Sequence, residues 1–331
     1  MGLNLPVLLS GCARYRSIQN GRAADYKELQ GEKLAEFISP AIVPSDLAPS
    51  DIALSVCNDM LQSRGISIKE VDLLISCTQT PDYNNPGLAS LLLAKLGAEG
   101  IAGLELKMSD AAPIYACRIA SAFIRTGKHK RILIAATDLM SRYFSSRENK
   151  LSRYFGDAAA AVIVGGDSES VRGKAFRYIA SHAAAIGAPE SFGVSSPRAN
   201  QFPFRIRPED FQDGSMQPRL QPQEFAECIS KEAAAILTSF ISKYLPSGRD
   251  VRWVVCHSPI GGEFLDRLAL PQSLQRANLV DEIAYSGYVA SAGAVCGLSR
   301  LSEQEVKSGD LICVLSAGAG INFGVMLLEA A

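Results

Sequence analysis

Three side chains able to hold or move a proton occupy comparable places along this chain. Asp110 heads the segment Met108-Ser109-Asp110-Ala111-Ala112-Pro113, His257 directly follows the apolar run Val251-Arg252-Trp253-Val254-Val255-Cys256, and Tyr288 follows Gly287. A carboxylate beside an imidazole favours the protonated imidazolium and orients the ring, as in acid–base dyads generally. An imidazole so oriented can take a proton from a bound hydroxyl, amine or water, while a phenol and main-chain N–H groups hydrogen-bond the oxyanion that develops. Each residue also has a structural reading. Asp110 suits the N-cap of a helix whose first turn tolerates Pro113, His257 suits a hydrogen-bonded strand end, and Tyr288 suits a cavity that needs bulk.

The elements that position these residues repeat. Val71-Asp72-Leu73-Leu74-Ile75-Ser76-Cys77 and Val251 to Cys256 both read as strands covered on two faces, and each leads into a polar, proline-containing loop. Further on, each half carries a short extended stretch, a small-residue motif, a helix, a glycine and another buried strand. In the first half these are Leu104 to Met108, Asp110, a helix to about Arg125, Gly127 and the strand Arg131 to Ala136. In the second they are Ile283 to Tyr285, Tyr288, a helix from about Val289, Gly309 and the strand Leu311 to Leu315. Tyr115, Ile119, Ala122 and Phe123 recur at helical spacing, and Gly127 and Gly309 are expected to stop the two helices. The repeat predicts a pseudo-twofold α/β structure divided at 1–170 and 171–331, with His257, Asp110 and Tyr288 converging near the axis.

Bulk properties narrow the function. The 331 residues are 47% hydrophobic and 20% charged with net charge −1, enough for a large core and without the single-sign charge that attracts nucleic acid. The longest apolar runs, such as Ala158 to Val164, fall far short of the roughly 20 residues that span a bilayer. Leu9-Ser10-Gly11-Cys12 has the look of a lipoprotein site, but Pro6 breaks the run before it and no basic residue precedes it, so it reads as a first strand. Cys12, Cys57, Cys77, Cys117, Cys228, Cys256, Cys296 and Cys313 are scattered singly, which predicts reduced, buried thiols in a cytoplasmic protein and neither a metal site nor a disulfide framework. From Ile186 to Gln223, with Arg198, Arg205, Arg207 and Arg219, apolar periodicity lapses; this stretch reads either as a lid or as a surface excursion.

Three motifs carry a resemblance: Thr78-Gln79-Thr80-Pro81-Asp82-Tyr83-Asn84-Asn85-Pro86, Tyr154-Phe155-Gly156-Asp157-Ala158-Ala159-Ala160-Ala161-Val162, and Ala317-Gly318-Ala319-Gly320-Ile321-Asn322-Phe323-Gly324. Together they resemble β-ketoacyl-acyl carrier protein synthase III, of the thiolase-fold condensing enzymes. The resemblance implies a duplicated, thiolase-like αβαβα five-layer fold, a homodimer, and no permanently bound cofactor. It further implies substrates that are acyl thioesters of coenzyme A or of acyl carrier protein phosphopantetheine. Family members load the acyl group on a cysteine, and a histidine and an asparagine assist decarboxylation of a malonyl partner. Counting back from Gly127 puts Asp110 at the cysteine position; His257 matches the histidine, Tyr288 falls where asparagine is expected, and Ala319, beside Gly320, takes the oxyanion-hole position. Cys117 lies two turns further along the helix. The tryptophan and arginine that sandwich the coenzyme A adenine have no counterparts in Gly31 to Val43 or at Asn149-Lys150, which tilts the expectation toward an acyl carrier protein.

A carboxylate that took an acyl group would form a mixed anhydride, far more activated than a thioester, so the resemblance with Asp110 in place implies acyl transfer without an acyl-cysteine. A charged Asp110 also opposes malonyl decarboxylation by repelling the malonate. The expected activity is an acyltransferase in fatty acid-like or specialised biosynthesis, with His257 oriented by Asp110. The alternatives are a non-catalytic subunit that pairs with an active condensing enzyme, and a thioesterase using the Asp110–His257 dyad.

Overall fold

A computed structural model describes residues 7–14, 40–143, 154–166, 174–186, 222–261 and 263–331. Arg198, Arg205, Arg207, Arg219, Asn149, Lys150 and residues 31–39 lie outside the described residues.

Ten strands form one mixed sheet: β1 (Val7–Arg14), β2 (Leu73–Cys77), β3 (Ala102–Leu106), β4 (Arg131–Leu139), β5 (Asp157–Gly166), β6 (Ala175–Ala185), β7 (Trp253–His257), β8 (Asn278–Asp281), β9 (Leu311–Gly318) and β10 (Asn322–Ala330). Their order, β3-β2-β4-β5-β1-β6-β10-β9-β7-β8, is a palindrome of two five-strand sets. β2 is parallel to β3 and β4, and β7 is parallel to β8 and β9; the two sets meet where β1 runs antiparallel to β6. The apolar density of the first predicted strand follows from this position, since all five residues of β2 are buried.

The principal helices are α1 (Pro49–Arg64), α2 (Leu88–Lys95), α3 (Ala112–Arg125), α4 (Pro222–Tyr244), α5 (Glu263–Arg267), the single turn α6 (Ile283–Ser286) and α7 (Gly293–Leu301). Alternate strand residues sort into different cores. Leu74, Leu133 and Ala161 face α1 and α2; Ile75, Ile134 and Ala160 face a central layer of α3 and α7 that also receives Ile312 and Val314; Cys313, Leu315 and Val325 face α4 and α5. These are the five layers the resemblance implies, with α3 and α7 in the middle one.

Several local expectations need correction. α3 ends as predicted, with Gly127 at φ 72 and Lys128 N–H closing on Phe123 O at 3.1 Å. Its buried face, however, is Ala116, Cys117, Ala120, Ser121 and Ile124, while Tyr115, Ile119 and Phe123 are half-buried and Ala122 is exposed. Lying between the two five-strand sets, α3 needs small residues where it is most enclosed, and its larger ones move to the flanks. α7 stops at Leu301, where its buried face ends, and not at Gly309, which turns the chain into β9 at φ 85. The extended stretch of the second half is Asn278–Asp281. Ile283–Ser286 is instead helical because Asp281 Oδ1 accepts the Ile283 N–H at 3.0 Å.

Candidate active site

Both central helices are entered through a short 3-10 turn of matching shape. Met108 (φ −117, ψ 32) leads to Ser109 at φ 50, and Val289 (φ −124, ψ 24) leads to Ala290 at φ 41. This pairing corrects the expected alignment of Asp110 with Tyr288: the counterpart of Asp110 is Ser291. Asp110 is not the N-cap of α3 either, because Ala111 holds that position without a side-chain cap bond. Its carboxylate turns inward.

There the structure brings Asp110, His257 and Tyr288 together, all essentially unexposed. Tyr288 Oη donates to Asp110 Oδ2 at 2.7 Å, and Ser109 Oγ donates to the same oxygen at 2.9 Å. Oδ1 has no hydrogen bond among the described residues and stands 3.6 Å from His257 Nε2. The Val289 N–H donates to Nε2 at 3.4 Å, which places the ring proton on Nδ1. The imidazole stacks on Tyr288 with ring centroids 5.4 Å apart, and Tyr154 also stacks with Tyr288 at 6.1 Å. Tyr288 is held there through its backbone, its N–H donating to Tyr154 O at 2.7 Å and its carbonyl accepting the Gly156 N–H at 3.1 Å.

Glycines make these approaches possible. A Cβ at Gly318 would overlap the Asp110 carboxylate, one at Gly293 would overlap the His257 ring, and one at Gly156 would overlap the Ser286 carbonyl.

Burial decides the charge states. Desolvation pushes Asp110 up to about 7 against the hydrogen bonds from Tyr288 and Ser109 that favour its anion, and it pushes His257 down to about 3. The expected imidazolium is therefore absent at neutral pH. A neutral imidazole faces a carboxyl that is about half ionised at neutral pH, because removing an ion pair from water costs more than a contact of 3.6 Å returns. Burial also raises the Tyr288 phenol well above its ordinary range, with Asp110 adding to the effect.

The two residues expected at an oxyanion hole, Ala319 and Gly320, differ from each other. Ala319 N–H already donates to Ser109 Oγ at 3.0 Å, whereas Gly320 is exposed at the β9–β10 turn, φ 71, with no contact to the three central side chains among the described bonds.

Two participants escape the sequence reading. Ser109 links Asp110 to Ala319. Asp138, fully buried near the end of β4, accepts from Gln79 N–H at 2.6 Å, from Thr80 N–H at 3.0 Å and from the Ser291 N–H at 2.8 Å, so it ties the second turn to the first five-strand set. Its carboxyl is pushed up to about 6 by burial, against those bonds. The available signal was a lone acid closing the apolar run Ile132-Leu133-Ile134-Ala135-Ala136-Thr137. Among the described residues no His, Cys, Asp and Glu cluster could hold a metal, and no helix is long and apolar enough to cross a membrane. Cys57, Cys77, Cys117, Cys256, Cys296 and Cys313 are buried thiols.

Comparison with known proteins agrees with this architecture. The family described as 3-oxoacyl-[acyl-carrier-protein (ACP)] synthase III matches residues 104–184, and its C-terminal counterpart matches residues 246–330. The β-ketoacyl-[acyl-carrier-protein] synthase III of Porphyra purpurea is 24% identical over 295 residues, covering 87% of this chain and 86% of the relative. That of Symbiobacterium thermophilum is 27% identical over 286 residues, covering 85% and 83%. Among solved structures, 3-oxoacyl-[acyl-carrier-protein] synthase III from Aquifex aeolicus superposes with a TM-score of 0.76 at 21% identity, over 98% of this chain and 99% of that one. The priming β-ketosynthase of the R1128 polyketide pathway gives 0.79 at 19% identity, over 99% and 97%. With the two halves of the family matched in order along one chain, and the five-layer fold shared with its solved members, this protein belongs to the ketosynthase III-like family of condensing enzymes.

Proposed function

We propose that this chain is an acyltransferase that takes acyl groups from thioesters of acyl carrier protein phosphopantetheine or coenzyme A, without an acyl-cysteine, and that Asp110 is its base. Asp110 stands in for the family cysteine at the head of α3. The observation that carries the reading is the setting of its carboxyl, enclosed, with Oδ2 oriented by the Tyr288 hydroxyl at 2.7 Å and Oδ1 without a hydrogen bond among the described residues; burial there raises it to about 7. A base with that value is half in its active form at neutral pH and accepts a proton with adequate driving force. His257, lowered to about 3, is a poor base; its role is to bound the site beside Oδ1 and to leave Asp110 without a cation that would hold it ionised. An acceptor hydroxyl or amine gives transfer, and water gives thioester hydrolysis.

Acetyl, hexanoyl and decanoyl thioesters of coenzyme A and of acyl carrier protein test this by thiol release. Release that rises with pH through about 7 and falls by about a hundredfold or more in Asp110→Asn supports the base. Release that Asp110→Asn leaves unchanged removes Asp110 from the chemistry.

A second reading, a non-catalytic subunit paired with an active condensing enzyme, draws on a different observation. Tyr288 O–H and Ala319 N–H, the donors an oxyanion needs, are both engaged within the chain. Among the described residues β3 is also an edge strand of the sheet, with Leu104 36% exposed, a surface suited to strand pairing with another chain. Absence of thiol release from every thioester, together with a stable complex with a condensing enzyme, selects it.

A further inference from the structure

We infer that Ser109 is the residue that carries the acyl group, as an oxyester, with Asp110 as its immediate base. The inference rests on the acyltransferase reading above and gives it a covalent intermediate other than acyl-cysteine.

The geometry is that of an activated nucleophile. Ser109 Oγ lies 2.9 Å from Asp110 Oδ2 with its proton directed at the carboxylate, and that carboxylate is itself fixed by Tyr288 at 2.7 Å. A hydroxyl within hydrogen-bond reach of a base that a third group orients is the general signature of nucleophilic catalysis. The Ala319 N–H points at Oγ from 3.0 Å, where it lowers the cost of negative charge on the attacking oxygen. Ser109 also sits, buried, at the left-handed bend that heads α3, at φ 50. The same bend at Ala290 shows that the backbone shape belongs to the duplicated fold, whereas the hydroxyl is particular to the first copy. No other described hydroxyl donates to Asp110 except Tyr288, whose phenol burial holds neutral.

In the step, Ser109 Oγ forms a bond to the thioester carbonyl carbon as its proton passes to Asp110. The tetrahedral adduct then breaks its carbon–sulfur bond, and Asp110 returns the proton to the departing sulfur, so that the products are acyl-Ser109 and a free thiol. No oxidant or reductant is needed. The exchange of a thioester for an oxyester is downhill, in contrast to anhydride formation on Asp110. In the second step Asp110 takes the proton of the acceptor as it attacks the ester, and Ser109 recovers its own.

The test pairs thiol release with intact-mass and peptide mapping after acid quench, using hexanoyl-coenzyme A and hexanoyl-acyl carrier protein. The expected result is one hexanoyl adduct on the peptide containing Ser109, stable to neutral hydroxylamine as an oxyester is and a thioester is not. Ser109→Ala should lose both adduct and release, and Ser109→Cys should regain an adduct that neutral hydroxylamine removes. Thermal melting of the variants separates loss of the hydroxyl from loss of the fold, and the Ser109→Cys adduct serves where Ser109→Ala does not fold. Thiol release that persists in Ser109→Ala with no adduct in the wild-type protein overturns Ser109 while leaving Asp110 as a base for direct transfer. An adduct mapped to Cys117 or elsewhere overturns it as well. No release from any thioester overturns both.

Discussion

At the scale of the residue, Asp110 and His257 are two groups whose neutral forms the fold prefers, and their pH dependences oppose one another. Asp110 titrates near 7 in the folded chain against 3.8 ordinarily, so its contribution to stability is complete below about 4 and is lost as pH rises toward 7. His257 titrates near 3 against 6.5, so its contribution is complete above about 6.5 and is lost as pH falls toward 3. Across the shared window the two slopes offset each other in the wild-type protein. Removing either partner exposes the other. Relative to wild type, Asp110→Asn should gain stability as pH rises from about 4 to about 7, and His257→Gln should lose relative stability as pH rises from about 3 to about 6.5. Urea midpoints measured across these ranges check both, and parallel profiles for the two variants would contradict a neutral Asp110 facing a neutral His257.

At the scale of the element, His257 was legible because it closes an unmistakable apolar run, whereas Asp110 and Tyr288 were reached through the repeat and the family motifs, and the repeat's pairing of those two is not the one the entry turns show. What was not legible is contact between elements. Ser109 reads as one more small residue ahead of a helix, and nothing in its neighbours announces that the β9–β10 turn will present Ala319 to it. The buried face of α3 was misplaced for the same reason, since helical spacing reports where large apolar residues lie and the enclosed face is made of small ones. Glycines are the clearest trace that close contact leaves in a sequence. Gly293 opens α7 directly against the His257 ring, with no room for a methyl group. Gly293→Ala should therefore cost about 1–3 kcal/mol by overpacking. In a His257→Ala background, where the ring is gone, the same substitution should cost at most half as much. A double-mutant cycle by urea denaturation reads the coupling, and additive effects would mean that α7 does not press on the imidazole.

At the scale of the whole molecule, the palindromic sheet suggests two units, but the central layer does not divide. α3 and α7 share one core with strands of both five-strand sets, and Ile114 on α3 packs so close to β10 that a Cβ at Gly324 would come within 2.9 Å of it. The two entry turns add crossed polar contacts, Ser109 to Ala319 in one direction and Asp138 to Ser291 in the other. Neither set of strands can lose its partner without exposing the helix layer between them, so the described core should unfold in one cooperative step. The chain carries a single tryptophan, Trp253 on β7, which reports on the second set alone. Ile114→Ala, a substitution on the helix of the first set that empties a fully buried site, should destabilise by about 2–5 kcal/mol. If the layers are one unit, the tryptophan fluorescence transition in urea shifts by the same amount as the far-ultraviolet circular dichroism transition, although the substituted residue belongs to the other repeat. A fluorescence midpoint that stays at its wild-type value while the dichroism transition splits would show two independent domains, and the site between them would then have to assemble from parts that fold separately.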